Sequence, residues 1–109
     1  ENQVELIVLN TPRPTFDITT YLGDYYGQYL WLKSFFEEYD VAYYDFNFVK
    51  PEIFVSKPEY YYNFEHMNAL GAERFSESFA EFLLLIDEGM DAELFFYDWE
   101  EYLASINYN

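Results

Sequence analysis

The apolar run from Val4 to Leu9 is the feature that most restricts how this chain can fold. Its residues, VELIVL, are almost continuously hydrophobic, which is typical of a strand covered on both faces in a parallel sheet. The segment from Asn10 to Thr15 contains two prolines, and they predict a loop that leaves the sheet. The fold must therefore supply helices to cover both sides of this strand.

A long helical segment is predicted next, beginning after one of the N-cap candidates between Asp17 and Thr20 and ending near Tyr39. Apolar residues recur in it at spacings of three and four, which predicts one buried stripe. The stripe consists of Leu22, Tyr25, Tyr29, Leu32, Phe36 and Tyr39.

A second strand is predicted from Val41 to Phe48, where Asp40 has interrupted the helical pattern. The segment VAYYDFNF is rich in β-branched and aromatic residues with alternating character. A strand, a long helix and a strand form a βαβ unit, so we expect parallel neighbours and a right-handed connection.

The region after the second strand, from Lys50 to Tyr62, is predicted to be a loop with one helical turn near Pro51–Val55. It leads to His66, the only histidine. Leu94–Tyr97 is predicted to be a short extended piece, and Asp98 caps a final amphipathic helix. The residues expected to face inward from that helix are Trp99, Leu103 and Ile106.

The best-defined helix is predicted from Ala69 to Glu88, with Asn68 as its N-cap and Gly89 as its stop signal. Its expected buried stripe consists of Leu70, Phe75, Phe79, Phe82, Leu83 and Ile86.

Composition limits the partners that the chain can take. Its 109 residues suffice for one domain, and its net charge of −16 disfavours nucleic acid and anionic membrane surfaces. With no cysteine and one histidine, neither a disulfide framework nor a multi-histidine zinc site is expected, and no cofactor is predicted. The 25% aromatic content means that some rings must stay exposed, which predicts a covering partner. We expect either the remainder of a larger domain or self-association.

The segment YNFEHMNALGAERFSESFAEF, residues 62–82, carries the most informative motif. It resembles the last catalytic block of the SGNH hydrolase superfamily, especially the acyltransferase-like and D-alanyl-transfer-like proteins of bacterial envelopes. Those proteins show an Asp-x-x-His-Leu-Asn-x-x-Gly-Ala pattern before a final helix. His66, Asn68, Gly71 and Ala72 match it, and Met67 replaces the leucine conservatively.

The resemblance implies an α/β fold, a three-layer α/β/α flavodoxin-like body of which residues 1–109 form the C-terminal half with a short parallel sheet. Residues 91–109 are then a possible docking helix. The implied parent is an esterase or O-acyltransferase of the bacterial envelope or extracellular space, acting on acylated glycans or polymers. The family's Gly-Asp-Ser nucleophile block has no counterpart in this chain, so the chain alone is expected to be inactive.

The predicted catalytic residues are His66, Asn63 and Glu65. The resemblance makes His66 the general base for a serine supplied from elsewhere. Asn63 stands where the family has the aspartate that orients the histidine, so either Asn63 partly performs that task, or Glu65 or a main-chain carbonyl does.

Simpler interpretations remain open for several of these residues. A lone histidine in an aromatic protein is usually a hydrogen-bonded structural residue or a surface residue, and Asn68 is more simply a helix cap than a substrate contact. Tyr60–Tyr62 either stack on a sugar or acyl acceptor or pack a loop onto the core. The acidic residues between Asp87 and Glu93 fit a solvated charge run better than a calcium loop. The whole chain is alternatively a non-catalytic α/β scaffold or interaction module with a degenerate site.

Overall fold

The computed structural model describes residues 5–63 and 66–106, which form an α/β protein around a short parallel sheet. Strand β1 is Ile7–Asn10 and β2 is Ala42–Asp45. They pair in parallel from Ile7 opposite Ala42 to Asn10 opposite Asp45, so the predicted parallel βαβ unit is confirmed. The predicted start of β1 at Val4 lies outside the described residues.

Strand β2 is shorter than the predicted Val41–Phe48, because the chain turns at Asp45. The carboxylate of Asp45 accepts a hydrogen bond from the backbone N–H of Asn47 at 2.9 Å. This bond caps a 3-10 helix at Phe46–Phe48, which removes those residues from the sheet.

The crossover between the strands contains two helices instead of the one that was predicted. Helix α1 is Thr15–Thr20 and α2 is Leu22–Glu38, with a break in helical geometry at Tyr21. The expected caps at Asp17–Thr20 are therefore wrong: these residues lie inside α1, which begins directly after Pro14. Proline's fixed φ and missing N–H suit it to a helix start.

Helices cover both faces of β2, as its neighbouring tyrosines demonstrate. Tyr43 contacts the rings of Tyr29 and Phe36 on α2. Tyr44 points the other way and contacts Phe82 at 5.1 Å between ring centroids. Phe82 lies on helix α3, Ala69–Asp87. Successive strand side chains alternate between faces, so α2 and α3 lie on opposite sides of the sheet.

Helix α3 largely follows its prediction. Asn68 caps it, and Gly89 follows its end with φ of 101°. The prediction that Leu70 belongs to the buried stripe is wrong, because 37% of its surface is exposed. Leu70 precedes the buried Phe75 by five residues, which places it about 140° away around the helix.

The C-terminal region contains a 3-10 helix at Ala92–Phe95 and helix α4 at Trp99–Ser105. The extended piece expected at Leu94–Tyr97 is thus partly wrong, because Asp91 caps the backbone N–H of Glu93 and starts a turn there. Helix α4 begins as predicted at Asp98, in a capping box.

Two hydrophobic clusters form the core. The larger one packs α3 against the sheet and the loop after β2, and its buried members are Phe46, Ile53, Phe54, Tyr60, Phe75, Phe82 and Phe95. The smaller one joins α1, α2 and α4, and its buried members are Ile18, Leu22, Phe48 and Tyr102. Phe46 and Phe48, one residue after the end of β2 and three residues after it, thus connect the sheet to both clusters.

Several aromatic side chains remain on the surface, as the composition predicted. Trp31, Phe35 and Tyr39 follow one another at four-residue intervals, and their neighbouring rings lie 5.4 and 5.1 Å apart. Tyr39 is 64% exposed, which corrects its assignment to the buried stripe. Helix α2 ends at Glu38, and the backbone leaves helical geometry at Tyr39.

Candidate functional site

His66 and Asn63 are in direct contact. The side-chain oxygen Oδ1 of Asn63 lies 2.8 Å from the backbone nitrogen of His66 and 3.0 Å from ring nitrogen Nδ1. The imidazole is exposed and stacks on the ring of Tyr62, nearly parallel at 5.8 Å between centroids. Two of the three predicted site residues are therefore brought together, and the third, Glu65, lies outside the described residues.

The segment that carries His66 is attached to the start of α3. Asn68 donates its backbone N–H to the carbonyl of Tyr60 at 2.9 Å, and its side-chain amide donates to the carbonyl of Glu59 at 2.8 Å. Its side-chain oxygen accepts from the N–H of Gly71. The Asn-x-x-Gly part of the motif is therefore a positioning device for this segment, and the predicted capping role of Asn68 is confirmed.

A polar cluster lies at the carboxyl edge of the sheet, where crevices of open α/β sheets bind their ligands. Asp45 ends β2, and only 3% of its surface is exposed. Its carboxylate accepts from the Tyr25 hydroxyl at 2.6 Å, from both nitrogens of Asn47, and from the Asn10 amide at 3.3 Å. Four donors compensate this buried carboxylate for the loss of water.

Hydrogen bonds connect this cluster to the loop after β1 and then toward the His66 segment. The Asn47 side-chain oxygen accepts from the backbone N–H of Arg13 at 2.7 Å, and the Arg13 carbonyl accepts from the Ser56 hydroxyl at 3.4 Å. Ser56 and Tyr61 share a short hydroxyl–hydroxyl bond of 2.6 Å, and Tyr61 forms an antiparallel bridge with Met67. The residue after His66 is thus linked to the sheet edge.

The buried carboxylate affects the surrounding phenols. Burial, followed by the charge of Asp45, raises the pKa of Tyr25 well above its usual range, and the same two causes raise the pKa of Tyr43. They raise the pKa of Tyr102 to about 12. All three hydroxyls are therefore neutral at physiological pH.

Two adjoining cavities lie beside this network and share Thr15 and Ser56 as walls. The first, of about 280 Å³, extends over Ile18, Phe46 and Phe54 in the core. The second, of about 400 Å³, is lined by residues of the loop before His66, including Lys57, Tyr61, Tyr62 and Asn63. Asn63 thus links the histidine to a cavity next to the carboxyl edge.

The remaining candidates separate into structural and exposed groups. Tyr60 is buried in the core, whereas Tyr62 is 68% exposed beside His66. Asp87, Glu88, Asp91 and Glu93 are all exposed, as expected for a solvated charge run. Across residues 5–63 and 66–106, no cluster of acidic and histidine side chains could hold a metal ion. None of the helices in these residues has the length and hydrophobicity of a membrane-spanning segment.

Sequence reasoning missed the Asp45 cluster and the Ser56–Tyr61 pair. The sequence pattern assigns Asp45 to the interior of a longer strand and Tyr25 to an apolar stripe. The available signal is a polar residue at the end of each strand, Asn10 in β1 and Asp45 in β2. Polar residues at those positions meet at the carboxyl edge of a parallel sheet.

The fold and this edge define an α/β protein with a largely apolar cavity, whose lining includes Asn63, the residue that contacts the exposed His66. No family model matches the chain, and no curated protein and no solved structure matches it.

Proposed function

We propose that this chain is the C-terminal portion of an SGNH-type esterase or O-acyltransferase, with a three-layer flavodoxin-like body, in which His66 is the general base. The contact between Asn63 and His66 carries the proposal. The motif around His66, the parallel βαβ order and the position of Asn63 beside a crevice support it.

The tautomer of His66 follows from its contacts with Asn63. A backbone N–H can only donate, so the Asn63 atom that faces the N–H of His66 must be the amide oxygen. The same oxygen lies 3.0 Å from Nδ1, which must then carry a proton and donate. In the neutral ring this leaves Nε2 with a free lone pair, as a general base requires.

Asn63 performs only one of the two tasks of the family's aspartate. It fixes the tautomer, but an amide stabilises the imidazolium formed after proton transfer far less than a carboxylate does. In the proposed reaction, Nε2 takes the proton of a serine hydroxyl as that oxygen attacks an ester carbonyl. The proton then goes to the leaving alcohol. The serine and the oxyanion donors come from residues outside this chain.

The test uses the protein produced from its complete gene and a small activated ester. We expect serine-directed fluorophosphonate labelling, and we expect His66→Ala to abolish turnover while the far-ultraviolet spectrum stays unchanged. Tyr62→Phe is the matched control, because it keeps the ring stacked on His66. A rate unaffected by His66→Ala, or a protein with no reactive serine, would refute the proposal.

A second variant, Asn63→Asp, should raise the turnover that His66→Ala abolishes. A carboxylate at position 63 would bond to the imidazolium by a charge-assisted hydrogen bond, which is worth about 1 kcal/mol more than a neutral one. We therefore expect kcat to rise about fivefold. A merely structural histidine would give no such gain.

The alternative function is a non-catalytic α/β interaction module. Asn63 favours it, because the missing carboxylate fits a site that has lost its activity. The exposed rings of Trp31, Phe35 and Tyr39 favour it as well, because such patches commonly mark interaction sites. An absence of ester turnover and fluorophosphonate labelling, with a folded protein, would select this alternative.

A further inference from the structure

The distribution of positive charge in this acidic protein is uneven. The chain has five lysines and arginines against 21 acidic residues. Two of those five, Arg13 and Lys57, line the pair of adjoining cavities at the carboxyl edge. Outside these cavities, the dense negative charge repels anions. Within the described part of the chain, an anionic group is thus best accommodated here.

The walls of the cavities are largely apolar. Buried side chains of Ile18, Phe46 and Tyr102 line the first cavity. Pro14 and Pro58 line the second. Small-molecule sites typically combine such apolar walls with a few polar groups that orient the ligand. A ligand with an aliphatic body and one charged end fits this combination.

The geometry points to a binding site for a small aliphatic carboxylate, with its head group at Lys57 and its chain over Ile18 and Phe46 in the first cavity. Thr15 and Ser56, which line both cavities, lie where the ligand passes from one cavity to the other. This inference does not depend on the proposed esterase function, because it concerns binding alone.

Lys57 is the main cation of this site. Arg13 forms an ion pair with Asp17 at 3.1 Å, so part of its charge is already neutralised. Lys57 is exposed at the mouth of the second cavity, next to the 3-10 helix Pro58–Tyr60. Its ammonium group therefore attracts an anionic head group more strongly than the guanidinium of Arg13 does.

The test is a titration of the full chain with octanoate, octanol and octylamine, followed by amide chemical shifts. We expect octanoate to bind most tightly and to shift the signals of Thr15 and Ser56. Lys57→Gln should weaken octanoate binding about fivefold and leave octanol binding unchanged. The matched control is Lys33→Gln on α2, which makes the same charge change away from these cavities and should have no effect.

A second variant tests the apolar part of the site. Val55 lines the first cavity and is 49% exposed, so Val55→Trp should fill the cavity without disturbing the core and should abolish binding of octanoate. His66→Ala should leave binding intact, which keeps this test separate from the catalytic one. Equal effects of Lys57→Gln and Lys33→Gln, or unchanged binding by a folded Val55→Trp protein, would overturn the inference.

Discussion

Gly71 packs against the main chain of Tyr60 so closely that a β-carbon at position 71 would overlap the Tyr60 carbonyl oxygen and lie 2.8 Å from the Tyr60 Cβ. The first turn of α3 and the loop before His66 are therefore in direct backbone contact. This contact, together with the cap at Asn68, determines where the histidine segment leaves the helix.

Gly71→Ala is expected to destabilise the protein. The added methyl group meets backbone atoms, which cannot move aside as a flexible side chain would, so we expect a loss of about 1–3 kcal/mol in the free energy of unfolding. Gly27→Ala on α2 is the control, since nothing lies within 4 Å of a β-carbon there. It should stabilise the helix by about 0.5–1 kcal/mol. Urea denaturation measures the free energy of unfolding of both variants. Equal losses of stability in the two variants would disprove the contact.

Asn68→Ala should cost about 0.5–2 kcal/mol, because the N–H of Gly71 loses its capping acceptor. Asn68→Asp separates the two roles of this side chain. Aspartate keeps the cap but cannot donate to the carbonyl of Glu59, which the asparagine amide contacts at 2.8 Å. We expect Asn68→Asp to retain α3 stability while hydrogen exchange quickens at Tyr60 and Tyr61. Unchanged exchange there would show that the loop does not depend on this bond.

Local patterns sufficed to predict much of the fold. The apolar run at the N-terminus, the aromatic segment after Asp40 and the cap at Asn68 identified the parallel unit and α3, because each is encoded by neighbouring residues. The predicted boundaries were wrong where a single residue starts or ends an element against the hydrophobic periodicity. Pro14 starts α1 earlier than expected, and the Asp45 side chain ends β2 by bonding to Asn47.

The candidate site was predicted less completely. The motif identified His66 and Asn63, which are close in sequence and in space. The contacts of Asp45 with Tyr25 and Asn10 join residues 20 and 35 positions apart. The first contact depends on how α2 crosses the sheet and the second on the register of β1 against β2, and no local spacing encodes either.

Asp45→Asn should be strongly destabilising. Each carboxylate oxygen of Asp45 accepts at least two hydrogen bonds, so in either orientation an amide would turn its NH₂ group toward donors. We expect a loss of about 2–4 kcal/mol in the free energy of unfolding. The same change at the exposed cap, Asp98→Asn, should alter stability by less than about 0.5 kcal/mol, because asparagine caps helices equally well. Similar values for the two variants would contradict a buried, fully bonded carboxylate.

The raised tyrosine pKa values predict how stability depends on alkaline pH. In the unfolded chain, phenols ionise near pH 10, whereas burial and the charge of Asp45 raise the pKa of Tyr102 to about 12 in the folded protein. The folded state therefore keeps protons that the unfolded state releases. This contribution to stability is complete below about pH 10 and is lost as pH rises through the folded pKa. Tyr102→Phe should make the decline above pH 10 shallower, because the variant lacks this phenol in both states. Urea midpoints measured across this range test the prediction, and an identical decline in wild type and Tyr102→Phe would show that this phenol titrates as it does in water.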